Sequence, residues 1–273
     1  MWDAVDHSCG FDAFLSVLWN LTSDRGLPWL SALSPDNDLL QSVSAAFLLA
    51  HHAPEYLEIG RDALRDKLVV IDPNAFPRRG TTGIVLTELV RVLLRRPHGF
   101  GSAMTHCGTC SNLVRHVPDL ISTGLWPIDP FWWRTVFPQS PSVSAQEFVT
   151  ASLDTPLSVP CSACGTQCAV SHELTSVPPL LVMESLPGTT ITPCETVTAV
   201  VSGVSVCWRL VGVIYFGWRH YTSRFMDQQG LFWYHDGVTT ARYCIRESTS
   251  YNGAWLSNAR SRTHSHLVYE HID

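Results

Sequence analysis

Two C-x-x-C pairs, Cys107-Gly108-Thr109-Cys110 and Cys161-Ser162-Ala163-Cys164, stand 50 residues apart (111–160) in a chain of 273 residues. Each pair presents two sulfurs from one tight turn, and two such knuckles complete a tetrahedral four-thiolate site, the expected ion being zinc. A compact zinc ribbon needs less chain between its knuckles, so the intervening segment is expected to be an inserted structural arm. Four thiolates leave no open coordination position, which makes the expected role of the metal structural. His106 and Cys168 are spare ligands nearby. A thioredoxin-type redox reading is the poorer one, because neither pair follows a strand and opens a helix. Nine cysteines are an odd number for a disulfide framework and fit a reducing compartment.

The arm has to be set in a globular chain. Apolar residues make up 45% and charged residues 15% of the sequence, a composition able to build a sizeable core. The net charge of −6, from 18 basic and 24 acidic residues, argues against a nucleic-acid partner, because Lys and Arg are not in excess to displace phosphate counterions. No apolar run approaches the length of a membrane span. The opening Met1-Trp2-Asp3 lacks the basic-then-apolar pattern of a secretory signal, so an intracellular protein is expected.

The first 100 residues read as mainly helical. Phe11, Phe14, Leu15 and Leu18 recur at helical spacing, and Ser8 or Asp6 can cap the start, which puts Cys9 at a helix N-terminus. Further helical patterns cover 38–52, 59–69 and 81–96. After His106 the runs become rich in Val, Leu, Thr and aromatics, broken by Gly and Pro, and read as strands. One helix is expected near 144–153, where Ser144 and Glu147 have capping-box spacing. Residues 220–225 lead through 227–230 into 231–234 as a hairpin. The Pro/Ser-rich stretch 138–144 is a short linker or a loop. Cys194, Cys207 and Cys244 read as core residues, and the aromatic cluster 126–133 as packing, with part of it exposed.

Cys9 is the candidate nucleophile. A helix N-terminus favours the thiolate through the partial positive charge of its free N–H groups. His220, after an apolar β-prone run, can take the thiol proton if a carboxylate or amide orients its ring. Asp236, one hairpin later, is the candidate for that orienting group.

The order of these pieces resembles the ubiquitin-specific protease family, a papain-like group of cysteine isopeptidases. The similarity is carried by Ser8-Cys9-Gly10-Phe11-Asp12-Ala13-Phe14-Leu15 as the Cys box, the two knuckles with Ser144-Ala145-Gln146-Glu147-Phe148 between them, Val177-Pro178-Pro179-Leu180-Leu181-Val182-Met183 as the strand after the second knuckle, and His220-Tyr221-Thr222-Ser223-Arg224-Phe225 followed by Trp233-Tyr234 as the His box. It spans about 3–246. The resemblance implies a single catalytic domain of α+β class with a helical thumb (1–100), zinc-bearing β fingers (101–175) and an antiparallel β palm (176–273). It implies thiol-dependent hydrolysis after the C-terminal Gly-Gly of ubiquitin or a ubiquitin-like modifier such as SUMO, with Cys9, His220 and Asp236 catalytic, Trp218 and Tyr221 as channel walls, and zinc on Cys107, Cys110, Cys161 and Cys164. Some motifs depart from the family. Its oxyanion-donating Asn or Gln is replaced by Ala4; an ionised Asp3 or Asp6 would repel an oxyanion, leaving the Cys9 N–H with a neighbouring N–H, or the side chains of His7 or Ser8, as donors. The usual Gly-Gly before the His is Trp218-Arg219. The divergent Cys box is also similar to the SUMO-directed branch. The alternative reading is an inactive module that binds ubiquitin or a ubiquitin-like protein on the same fold.

Overall fold

The computed structural model describes residues 6–80, 82–111, 113–116, 122–140, 142–155, 157–186, 188–248 and 251–272. Five helices occupy its first part: α1 (Cys9–Arg25), α2 (Leu27–Leu33), α3 (Asp38–Ala50), α4 (Tyr56–Ile71) and α5 (Leu86–Leu94). α3 starts where the Asn37 side chain accepts hydrogen bonds from Leu39 and Leu40 N–H, satisfying two of the free donors of the first turn. α5 begins at Leu86, later than the helical spacing over 81–96 suggests, because Val85 is extended and turns the chain into the helix. Among the described residues no helix is long and apolar enough to cross a membrane.

Strands follow. β1 (Gly101–His106), β2 (Leu113–His116), β5 (Leu157–Pro160) and β6 (Gln167–Leu174) form an antiparallel four-stranded sheet in the order β2-β1-β6-β5. Between its halves the chain returns to the body through β3 (Leu125–Trp126), α6 (Pro130–Val136), β4 (Ser142–Ser144) and α7 (Ala145–Asp154). Ser144 and Glu147 make the reciprocal capping box at the start of α7. The aromatic cluster closes this region: Trp126, Trp132 and Trp133 are buried around Phe148 of α7, and Phe131 is exposed.

The larger sheet has nine strands. Its path runs β13 (Ile245–Ser248), β12 (Phe232–His235), β11 (His220–Met226), β10 (Val204–Gly217), β15 (Arg262–Ile272), β7 (Leu180–Glu184), β3, while β9 (Thr196–Val201) pairs with β10 and β14 (Asn258–Ala259) with β15. Only the β3–β7 pairing in it is parallel. β8 (Thr190–Thr192), which pairs with β4, and the short α8 (Gly253–Leu256) also lie outside this sheet. Both faces of the large sheet are covered. Val211 and Ile214 of β10 face the thumb helices with Phe14, Leu18 and Leu40, whereas Trp208, Leu210, Val213 and Tyr215 join the core with Phe148 and Trp133. Register shifts on β10, after Leu210 and after Ile214, accompany that change of facing.

α1 crosses the middle of this sheet in close contact. A Cβ on Gly212 would lie 2.7 Å from Val17 Cγ1, so β10 needs glycine where the helix crosses it. The two-residue turn between β10 and β11 shows the opposite choice. Gly217 pairs with His220, and both loop residues, Trp218 (φ 56°) and Arg219 (φ 58°), lie in the left-handed region. That is the two-residue hairpin geometry that favours Asn-Gly or Gly-Gly, and each L side chain in it costs about 1–2 kcal/mol. Trp218→Asn combined with Arg219→Gly should therefore raise the thermal midpoint by a few degrees, read by calorimetry; an unchanged or lower midpoint would show that the turn carries no strain.

Candidate active site

Cys9 is the first residue of α1 and is buried. Ser8 occupies the N-cap position without donating its side chain as a cap; its hydroxyl donates to Asp12 Oδ2 at 2.8 Å. The other Asp12 oxygen accepts from Arg61 Nη1 of α4 at 3.0 Å. The segment ahead of the helix is held by cations. Arg65 Nη2 donates to the Asp6 carbonyl at 2.5 Å, and Arg79 Nη1 and the Gly80 N–H each donate to the Asp6 carboxylate at 3.1 Å. Asp6 is thus neutralised by Arg79 and by Arg78 at 3.6 Å, so it is no bare charge facing the thiol. The side chains of Asp6 and Ser8 are both engaged away from Cys9. Ala4 and Asp3 lie outside the described residues.

His220 opens β11, immediately after the strained turn, and is buried. Its Nε2 lies 2.7 Å from Asp236 Oδ1. The Cys9 thiol is close enough to act on the same imidazole. Burial alone would favour the neutral imidazole, but the bonds to Asp236 and Cys9 outweigh it and raise the His220 pKa to about 9. Asp236 sits at the end of β12. Burial opposes its charge, yet the bonds from His220 and the Val238 N–H hold its carboxyl well below the usual range. Tyr234 adds a third donor, its hydroxyl lying 3.3 Å from Asp236 Oδ2. Of the three positions chosen from sequence, His220 and Asp236 are in direct contact, and Cys9 lies near enough to influence the imidazole.

The two wall candidates part company. Tyr221 is half-buried, packs against Phe216 with ring centroids 4.6 Å apart, and is pushed up to about 12 by burial and by the nearby Cys9 and Glu184 charges. A Cβ on Gly10 would lie 2.8 Å from Ile84 and 3.4 Å from Tyr221, so the start of α1 is tightly confined. Trp218 stands out from its turn, 85% exposed. Cys194, Cys207 and Cys244, read from sequence as core, are half-buried; Cys194 and Cys244 pack against the margins of the two cores. Sequence reasoning passed over Asp12, Arg61, Tyr234 and His235; the acidic residue in the first turn of α1 was the one available signal.

The second cluster lies at the tip of the four-stranded sheet. The sulfurs of Cys107, Cys110, Cys161 and Cys164 all lie within 4.8 Å of one another, with Cys107–Cys164 at 3.5 Å and Cys110–Cys161 at 3.6 Å. A tetrahedral ion bound at about 2.3 Å per thiolate would space its sulfurs about 3.8 Å apart, so the four fit a metal ion. The Cys110 N–H and neighbouring thiols pull Cys107 down to about 6, which favours the thiolate a metal requires. Cys168 donates to the Thr166 carbonyl at 3.2 Å, and His106 is exposed; neither is among the four.

No protein-family model and no curated protein matches this chain in sequence. Its fold is similar to that of the Ubp8/Sgf11/Sus1/Sgf73 deubiquitinating module of SAGA bound to monoubiquitin, with a TM-score of 0.54 and 13% identity over 97% of this chain and 67% of that one. The same module bound to ubiquitin aldehyde gives a TM-score of 0.51 at 12% identity, over 97% and 68% of the two chains. At such identities the likeness establishes the fold alone, a mixed α/β architecture shared with that deubiquitinating module.

The raised His220 pKa has a measurable consequence. An unfolded histidine titrates near 6.5, so the folded-state preference for the imidazolium contributes stability that is complete below pH 6.5 and is lost as pH rises through about 9. Asp236→Asn removes the charge that sustains the shift. Chemical denaturation across that range should show a clear loss of unfolding free energy in the wild type and a several-fold smaller one in the variant. Parallel curves would break the assigned His220–Asp236 coupling.

Proposed function

We propose that the protein is a thiol isopeptidase that cleaves after the C-terminal Gly-Gly of ubiquitin or a ubiquitin-like modifier. The observation that carries this reading is the buried His220, bonded to Asp236 at 2.7 Å, with the Cys9 thiol near enough to act on the same imidazole. His220 takes the thiol proton, and the Cys9 sulfur attacks the carbonyl of the modifier's last glycine to give a tetrahedral adduct. His220 then gives that proton to the lysine amine as the C–N bond breaks, which leaves the thioester, and water hydrolyses the thioester with His220 as base, releasing the modifier's carboxylate and the Cys9 thiol. Asp236 keeps the imidazole oriented through Nε2, leaving the other nitrogen to the sulfur. The oxyanion is assigned to backbone N–H groups at the start of α1, because the first-turn donors of a helix lack intrahelical partners and the Ser8 hydroxyl is already bonded to Asp12. The channel leading to Cys9 is taken to admit only glycine at the modifier's last two positions, with Tyr221, which packs close to Gly10, as one wall. Trp218 is assigned to the rim of that channel.

Ubiquitin is the modifier favoured by the fold's likeness to a ubiquitin-bound module; SUMO is the rival that the Cys box suggests. A binding-only role has one argument, the Ala4 in place of an oxyanion donor. Ubiquitin and SUMO probes carrying a C-terminal electrophile, tested side by side, separate these readings. Labelling of wild type by one probe, absent in Cys9→Ala, is expected. With the corresponding fluorogenic substrate, Cys9→Ala should abolish turnover and keep modifier binding, and His220→Ala should lose about 10²–10⁴-fold. Full activity in either variant would end the mechanism; full activity in Asp236→Ala alone would withdraw only its assignment.

The four-cysteine cluster is assigned to structural zinc. Protein purified without chelator should carry one zinc per chain, and Cys161→Ser should lose it with a lowered thermal midpoint and an intact response to the labelling probe. Absence of stoichiometric zinc in elemental analysis would overturn the assignment.

A further inference from the structure

Behind the catalytic residues lies a cavity of about 440 Å³, bounded by α1, α3, α4, the strands β11 and β12, and the loop that follows Asp236. It is separate from Cys9 and Tyr221, neither of which lines it. Its walls are apolar and aromatic: Trp19 and Leu15 from α1, Phe47 from α3, Leu57 from α4, Phe225 from β11 and Trp233 from β12. A volume of this size with such walls suits a small organic ligand.

The charges around it are unbalanced. Four carboxylates line the cavity, those of Asp12, Asp24, Glu58 and Asp227, against two guanidinium groups, those of Arg61 and Arg242. Both guanidiniums are spoken for. Arg61 pairs with Asp12 at 3.0 Å and with Asp62 at 2.9 Å. Arg242 pairs bidentately with Glu58 at 2.6 and 2.7 Å, joining α4 to the loop after Asp236. Asp24 and Asp227 remain. Asp227 is buried, and its oxygens accept from the Gln229 and Leu231 N–H groups and from Trp233 Nε1, donors that carry no charge. The guanidinium nearest Asp24 belongs to Arg25, which is committed to Glu270 through two bonds of 2.8 and 2.7 Å. Burial raises the Asp24 pKa, Arg25 and the Gln228 N–H oppose the rise, and Asp227 and Glu270 add to it. A cation at this end would relieve that repulsion, and Trp19 and Trp233 line the same cavity.

We infer that this cavity binds an amphipathic organic cation, an aryl or branched alkyl body bearing a single amine, with the amine at Asp24 and Asp227 and the body between Trp19, Phe47, Leu57 and Phe225. The site is independent of the isopeptidase reading, because occupancy is measured without turnover.

Tryptamine is the probe, with 3-ethylindole as its uncharged counterpart and indole-3-acetate as its anionic one, followed by calorimetry and by NMR shifts of the lining residues. Tryptamine should saturate at one site, 3-ethylindole should bind at least tenfold more weakly, and indole-3-acetate should not bind. Asp24→Asn, a change in the last turns of α1 that leaves the packing in place, should weaken tryptamine about tenfold and leave 3-ethylindole unaltered. Leu57→Trp, which fills the cavity, should abolish both. Equal affinity for the three ligands, absence of saturable tryptamine binding to the wild type, or an Asp24→Asn variant that binds tryptamine as the wild type does would overturn the inference. Near-ultraviolet circular dichroism on each variant keeps loss of binding distinct from loss of fold, and Asp24→Asn remains decisive if Leu57→Trp does not fold.

Discussion

The contact between α1 and the centre of the large sheet governs the rest of the structure. Val17 sits against Gly212 at a distance that leaves no room for a Cβ, and the same helix carries Cys9 at its start. Because interiors are close-packed, a shift of α1 by the thickness of one methyl group would open a void along Phe14, Leu18 and Ile214. The helix therefore has one depth and one direction on the sheet. That depth delivers the thiol to His220, whose own place is fixed by the β10–β11 pairing. The placing of Cys9 relative to His220 thus follows from apolar packing remote from both.

Buried cations fasten what packing does not. Arg61 and Arg65 of α4 reach across to Asp12 and to the Asp6 carbonyl, so the turn leading into Cys9 is tied to a second helix. Arg224 does similar work on the far face of the sheet, donating to Tyr215, to the carbonyls of Trp255 and Asn258 and to Glu247, with its guanidinium 3.8 Å from the Trp255 ring centroid. Removing one partner from such a group would strand a charge away from water, which costs more than the net value of the pair.

Local signals in the sequence carried far. The helical repeat of Phe11, Phe14, Leu15 and Leu18, the Ser144–Glu147 box and the paired cysteines each depend on neighbours a few residues away, and each reads directly. The meeting of Cys9, His220 and Asp236 was legible only through resemblance, since their separations in sequence carry no geometry. What stayed hidden depends on distant partners with no local signature. β3 is two residues long and joins the sheet by pairing in parallel with β7. Asp12 reads as an ordinary first-turn acid until Arg61, 49 residues on, is placed against it. His235 is indistinguishable in sequence from eleven other histidines, yet it is buried between Ser16 and the Ala241 carbonyl, its charged form disfavoured chiefly by that burial.

β15 comes late in the chain, yet it lies inside the sheet, between β10 and β7. Until residues 262–272 leave the ribosome, the apolar edge of β10 through Leu210, Val213 and Ile214 has no partner on that side. α1 is made well before the strand that closes the sheet beneath it, a topology of long-range pairings that folds slowly. From the completion of β10 until β15 is made, a nascent chain carries an unpaired sheet edge, the condition under which strands from neighbouring chains compete for the vacant position.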